Sequence, residues 1–402
     1  VVMVLLVMLL VYSTIRNSQK ANVGYSVYIK IMTSHFQIIS ALSNVNFAWP
    51  NFIDELYQAL ISVSQMSEQI FSIDCFILHS NSQVLQSVGV YFTKLLFYGL
   101  LPLLLAFCDA LFWLLYSLVS GKYKHFQPKF ISTLVILLFL VHPTITQEML
   151  QSFNCIKVGE VFYLRDDLSF ECYTGTHLKF LVIIVIPSVV LWVIGIPLAV
   201  FIILSKQKAL ILKEEEGMSE EELARLTLLR QKFGFIFNGF RTRLFYYEVV
   251  IQYRKVVLIL ITVTLSVVSP EIQSLLSVLV LVFSMIYQHT HKPFLTPTLN
   301  RMELLSLLVA TTTLYAGMYF ITAQHYHYHQ SPVPQWFFFI LLVLPNLAFF
   351  FYWLYYMVLE CLKFAHSLNK SLFCILTLGL CKYENFKNKH MSQQIGPTET
   401  IQ

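Results

Sequence analysis

Charge is scarce in this sequence. Asp, Glu, Lys and Arg together make up 12% of 402 residues, against 57% hydrophobic residues, whereas ordinary soluble domains carry roughly 25% charged side chains. That excludes a globule surrounded by water and makes the lipid bilayer the main solvent. Metal-ligand spacings, a nucleophile elbow and a Gly-rich phosphate cradle are missing too, so no enzyme and no cofactor are expected. The first twelve residues, Val1 to Tyr12, are apolar but have no initiator Met, no basic flank and no small-residue cleavage site; they do not read as a signal peptide. At 1.5 Å per residue they cover only about 18 Å, so they read as half of a span whose beginning lies upstream.

What is present is a series of long apolar runs. A helix needs about 20 apolar residues to cross the hydrocarbon core. Seven runs meet that length: Gly89 to Val119, Phe130 to Leu150, Leu178 to Leu204, Tyr246 to Val268, Ile272 to Tyr287, Met302 to Ala323 and Trp336 to Val358. The fifth is short unless tilted or extended through Pro270. Ser26 to Phe47 is a poorer span, carrying Lys30, His35, Gln37, Asn44 and Asn46, and could equally lie in the interface.

Basic residues decide between those two placements. If Ser26 to Phe47 crosses, 20 of the 27 Lys and Arg residues fall on one side, in the gaps at 13–25, 121–129, 205–243 and 288–301 and in the tail from Leu359. The opposite gaps are almost empty of them, which is the positive-inside pattern. Lys94 and Lys179, near outer helix ends, are expected to snorkel outward. The fold expected is an all-α polytopic membrane bundle of about nine transmembrane helices, N-terminus outside and C-terminus cytosolic. Its divisions are 1–25 (truncated span and linker), 26–87, 88–205 (with an outer Cys loop at 151–177), a cytosolic insert at 206–243, spans at 244–358 and a tail at 359–402. The net charge of +5 is accounted for by sidedness, so nucleic acid is not an expected partner.

Cysteines fit this topology. Cys75, Cys155 and Cys172 fall outside, where disulfides form, and a Cys155–Cys172 bond would close a loop of near 15 residues, for which chain-entropy reasoning gives about 3 kcal/mol. The alternative is two free thiols. Cys361, Cys374 and Cys381 fall inside without zinc-ligand spacing and read as reduced, Cys361 being within reach of palmitoylation. The glycosylation acceptor at Asn369 falls on the cytosolic side and should be silent.

The insert carries a well-marked soluble helix. Ser219 and Glu222 form a capping box, Glu221 and Arg225 pair at i,i+4, and Leu223, Leu226, Leu229 and Phe233 recur at helical spacing, giving a face that would lie on the membrane or another domain. Gly234 and Gly239 bracket a Phe-rich bend leading into the next span. That span places Glu248, Arg254 and Lys255 in or near the inner leaflet. Ionisable groups there suggest function, and two readings stay open: a lipid-facing cationic belt that grips anionic inner-leaflet headgroups, with Glu248 as counter-charge, or a lipid-regulated gate.

Polar residues at depth supply a candidate ion path: Asp109, His142, Thr311, Thr312, Thr313, Tyr315 and Asn346. Asp109 and His142 sit at similar depth on consecutive antiparallel helices, so a hydrogen-bonded pair is geometrically allowed; otherwise Asp109 bonds another helix and His142 caps a Pro143 kink. The threonines could line a cavity or bond their own backbone within a packed helix. His325, His327 and His329 alternate in HYHYH, a pattern that could hold a metal in an extended segment but also suits an interface belt, as do Trp49 and Trp336.

Particular strings carry more than periodicity. HFQIISALSNVNFAWP (His35 to Pro50), FSIDCF (Phe71 to Phe76), FNCIKVGEVFYLRDDLSFEC (Phe153 to Cys172), FGFIFNGFR with YYEVVIQYRKVVLI (Phe233 to Ile259) and LNRMELLSLL (Leu299 to Leu308) resemble the membrane region of TRP-like, distantly polycystin-related proteins of ciliates and oomycetes. The resemblance spans most of residues 1 to 390. It implies a cation-channel-like membrane domain beneath a large extracellular N-terminal region, in the plasma or ciliary membrane. It transfers no selectivity filter, since neither a carbonyl-lined Gly-rich loop nor an acidic pore loop is evident. The expected function is therefore a TRP-like channel or channel-like sensor. The alternative is a non-conducting anchor for an extracellular filament, adhesin or coat, with those proteins or further copies of the chain as partners. Lipid scrambling ranks third, because a lengthwise polar stripe exists on one span alone.

Overall fold

The computed structural model describes residues 25–45, 47, 89–121, 126–213, 217–325 and 332–368. Helix makes up 84% of these. Ten α-helices follow one another among the described residues: α1 (Tyr25–Ser43), α2 (Val90–Ser120), α3 (Phe126–Gln151), α4 (Gly175–Lys206), α5 (Lys208–Leu212), α6 (Glu220–Phe237), α7 (Tyr247–Thr264), α8 (Pro270–His291), α9 (Pro297–His325) and α10 (Pro332–Leu368). Val1 to Tyr12, Trp49, Cys75, His327, His329, Asn369, Cys374 and Cys381 lie outside the described residues.

Among the described residues six helices, α2, α3, α4, α8, α9 and α10, are long and apolar enough to cross a membrane, so the protein is a helical membrane bundle. Their large outward side chains, including Phe107, Phe112, Phe283 and Leu344, stay uncovered by protein, and such a surface is stable only against lipid. The run expected from Tyr246 to Val268 becomes α7, whose 18 residues include Glu248, Arg254 and Lys255. The run expected from Ile272 to Tyr287 is longer than its apolar stretch: α8 starts at Pro270, capped by Ser269 Oγ accepting from Ile272 N at 3.2 Å, and continues to His291. Proline at the first helical position loses no helix bond there. Ser26 to Phe47 becomes α1, a central helix packed against α7, α9 and α10, and so not one resting at the bundle surface.

Helix ends are set by local chemistry. Gly121 closes α2 in the left-handed conformation, φ 66°, which costs glycine nothing. Two π-helical stretches, Leu181–Val185 and Val189–Ile194, flank Pro187 in α4, because the proline ring withholds a donor and clashes with the preceding turn.

The expected Cys loop contains a small β-meander that hydropathy did not reveal. β1 (Cys155–Val158) pairs antiparallel with β2 (Val161–Leu164) in the register Cys155↔Leu164, and β2 pairs with β3 (Asp167–Glu171). The Cys155–Cys172 disulfide staples its base, with Cα atoms 6.3 Å apart. His177 holds the meander to the end of α3: Nδ1 accepts from Tyr173 N at 2.9 Å and Nε2 donates to Ser152 O at 3.0 Å. In the β2–β3 turn, burial raises the Asp166 carboxyl above its usual range, against the pull of Arg165 and Lys94.

The opposite end of the bundle carries the insert. The capping box expected at Ser219 and Glu222 is present, and Arg225 donates to Glu221 at 2.6 Å. Glu222 is held below the usual carboxylate range, chiefly by Lys213 Nζ at 2.5 Å and also by Ser219 N. Leu226 and Leu229 are buried while Leu223 is exposed; the covered face of α6 lies on α3. After Gly239, the chain joins the α8–α9 loop through Leu295 N to Gly239 O at 3.0 Å and Arg241 N to Pro293 O at 2.8 Å. A side chain at Gly239, φ 93°, would meet Val27 of α1 at 2.7 Å.

Candidate functional site

Five ionisable side chains meet inside the bundle where α1, α7 and α9 converge: Lys30, Glu248, Arg254, Lys255 and Glu303, each no more than 8% exposed. Their positions follow from helical spacing. Lys30 is near the start of α1, Glu303 is in the second turn of α9, and Glu248 and Lys255, seven residues apart, share one face of α7.

Two ion pairs cross between helices. Arg254 Nη2 donates to Glu303 Oε1 at 2.8 Å, with side-chain exposures of 5% and 1%. Lys30 Nζ lies 2.8 Å from Glu248 Oε2, donates to Phe235 O at 3.1 Å and sits 4.5 Å from the Phe240 ring centroid. The Glu248 Oε2 contact is close but not aligned as a hydrogen bond, so it is a Coulombic contact; Gln252 Nε2 bonds the other oxygen at 3.4 Å. Lys255 has no carboxylate within ion-pair distance among the described residues. Its ammonium donates to Gln37 Oε1 at 2.6 Å, and Gln37 Nε2 donates to Leu140 O of α3 at 3.1 Å.

Polar contacts continue along the bundle on both sides of this cluster. Towards the insert, Tyr247 OH donates to Gln288 Oε1 at 2.6 Å, and Gln288 Nε2 donates to Asn300 at 3.2 Å. Towards the meander, His35 Nδ1 lies 3.1 Å from Ser306 Oγ, Asn44 bonds Gln147 at 3.2 Å, and Lys94 pairs with Glu148 at 3.1 Å. The result is a polar seam through an apolar bundle. An unpaired charge at the centre of a membrane helix costs roughly 2.5–3.5 kcal/mol on insertion scales, so pairing decides whether these helices can remain inside.

Three expectations are corrected by this geometry. Glu248, Arg254 and Lys255 are not a lipid-facing belt: they are buried and point inward, where each meets a polar partner on α1 or α9. Asp109 and His142 do not pair. Trp113 Nε1 donates to Thr133 Oγ1 at 3.0 Å, and in that antiparallel register Asp109 sits level with about Leu137; His142 is five residues further, about 7.5 Å along the axis. His142 Nε2 instead donates to Val193 O in the π-helical part of α4 at 3.0 Å. Asp109 Oδ2 has no hydrogen-bond partner among the described residues. Lys94 does not snorkel, since Glu148 and the Tyr98 ring hold it.

The threonine stripe of α9 is spent on its own helix. Thr311 Oγ1 donates to Leu307 O, and Thr312 and Thr313 both donate to Val309 O, at 2.8–2.9 Å. Asn346 Nδ2 donates to Thr313 Oγ1 at 3.1 Å and to Leu342 O at 2.7 Å, tying α10 to α9. Tyr315 is exposed. Sequence reasoning flagged Arg254 and Lys255 but missed Lys30 and Glu303 as their neighbours. Lys30 was open to the same observation, a lone charge in an apolar run, whereas Glu303 stands two residues from Arg301 at the start of its run. Among the described residues no group of three His, Cys, Asp or Glu side chains converges to hold a metal ion.

Similarity to known proteins is narrow. Cysteine repeat modular protein A of Toxoplasma gondii is 25% identical over a 364-residue alignment that covers 72% of this chain and 11% of that protein. The chain therefore corresponds to a small part of that relative's length. No protein-family model matches the chain, and no solved structure does.

Proposed function

We propose that the chain is the membrane portion of a longer cell-surface or ciliary protein and works as a channel-like sensor in which the polar seam is the moving part. In this reading α1 and α7 also cross the bilayer, giving about nine spans with the basic, insert-bearing end cytosolic. The observation that carries the reading is the cluster of five buried charges at the meeting point of three helices. Buried ion pairs contribute little net stability relative to well-packed apolar residues, so stability alone is a poor reason to keep them. Interhelical pairs with two arrangements are, by contrast, what a switching bundle needs. The small share of the Toxoplasma relative that the chain covers supports a longer protein.

A non-conducting anchor for an extracellular filament or coat is favoured by one observation: Thr311, Thr312 and Thr313 turn their hydroxyls to their own backbone and line no polar wall. Ion flux through liposomes containing the purified chain separates the two. The channel reading expects flux above that of empty liposomes; flux equal to the empty control leaves the anchor.

A further inference from the structure

The central cluster of the seam holds three cationic side chains, Lys30, Arg254 and Lys255, and two acids, Glu248 and Glu303; further along, Lys94 and Glu148 balance each other. Each acid already faces one cation, Lys30 at 2.8 Å and Arg254 at 2.8 Å, so among the described residues the excess positive charge resides at Lys255. Its ammonium has three protons, and the acceptor it meets is the neutral Gln37 Oε1. Next to it in sequence, Arg254 keeps a buried Nε–H without a hydrogen-bond partner among the described residues. The groups that act electrostatically on Lys255 come from α1 (Lys30), α7 (Glu248, Arg254) and α9 (Glu303), and Lys255 acts in turn on His142 of α3. His142 gives its Nε2 proton to Val193 O and adds no negative charge. An uncompensated cation inside a low-dielectric bundle attracts a mobile counter-ion of opposite sign, and pores lined by Lys and Arg select anions.

We infer that the seam binds a small inorganic anion of the chloride class beside Lys255, and that any ion this membrane domain passes is an anion, not a cation. The binding statement stands on the charge balance of the seam alone; the permeation statement rests on the channel reading above. The test measures the thermal unfolding midpoint of the purified chain in lipid nanodiscs, titrated with sodium chloride against sodium gluconate at equal ionic strength. Chloride should raise the midpoint saturably by mass action. The Lys255→Met variant should bind about tenfold or more weakly, and Glu303→Gln, which frees Arg254, should bind more tightly. Midpoints that do not distinguish the two salts, or a chloride response unchanged in both variants, overturn the inference. In the same preparation under a potassium chloride gradient, a reversal potential near that of chloride supports anion permeation, and one near that of potassium overturns it while leaving the channel reading intact. Absence of current overturns the channel reading, and the salt titration then still decides the binding statement.

Discussion

Removing one partner of the Arg254–Glu303 pair and removing both should have opposite consequences. The two side chains are 5% and 1% exposed and joined at 2.8 Å, so Glu303→Leu alone strands a buried guanidinium without its ion-pair partner. Breaking a buried pair this way costs about 3–5 kcal/mol. With a thermal sensitivity of roughly 2–4 °C per kcal/mol, the figure for domains of about 150–250 residues, the unfolding midpoint in detergent should drop by about 10 °C. Arg254→Met alone strands the Glu303 carboxylate and should fall by a similar amount. The double variant replaces the pair with apolar groups of similar volume and should recover most of the loss, because neither charge is then buried unpaired. A double-mutant cycle over the four proteins reads this directly as a coupling energy. Single variants within 2 °C of the parent, or a double variant that loses the sum of both singles, would refute the claim that these charges are buried and mutually compensating.

Three further outcomes follow from the packing. Gly317→Ala places a Cβ 2.3 Å from Phe47 Cδ1; the aromatic ring must shift, and chemical denaturation should register a loss of about 1–3 kcal/mol. Replacing Cys155 and Cys172 by Ser opens a loop of 17 residues' separation and should lower stability by about 3 kcal/mol, with protease cleavage appearing first between Val158 and Val161. Glu222, whose folded-state pKa is depressed by Lys213 and Ser219, lends stability that is present above the unfolded carboxylate value and lost as pH falls through the lower folded value. Local hydrogen exchange of α6 should therefore separate parent from Glu222→Gln at neutral pH, and the two should converge in acid.

Much of the architecture was readable because lipid imposes one rule on every span: length and continuity of apolar residues. The capping box at Ser219, the disulfide between Cys155 and Cys172 and the runs that became α2, α3, α4, α9 and α10 all follow from local spacing or loop length. The seam was harder. Glu303 meets Arg254 across 49 positions of chain, and Lys30 meets Glu248 across 218, so no periodicity links them. Lys30 lowered the hydropathy of α1 and made a central helix resemble an interfacial one, although that lysine is what fixes it to α7. The Asp109–His142 expectation failed for a related reason: equal distance from helix ends does not set register, whereas the Trp113–Thr133 bond does. The β-meander escaped notice because its strands are only four or five residues long.

The central claim is that the ion-paired seam is the working part of a conducting membrane domain. Flux through liposomes reconstituted with the parent chain and with the Arg254→Met/Glu303→Leu double variant tests it most directly. The account predicts flux in the parent and its loss in the double variant, with both proteins folded and inserted equally. Equal flux from the two proteins, or none above empty liposomes from the parent, would contradict it.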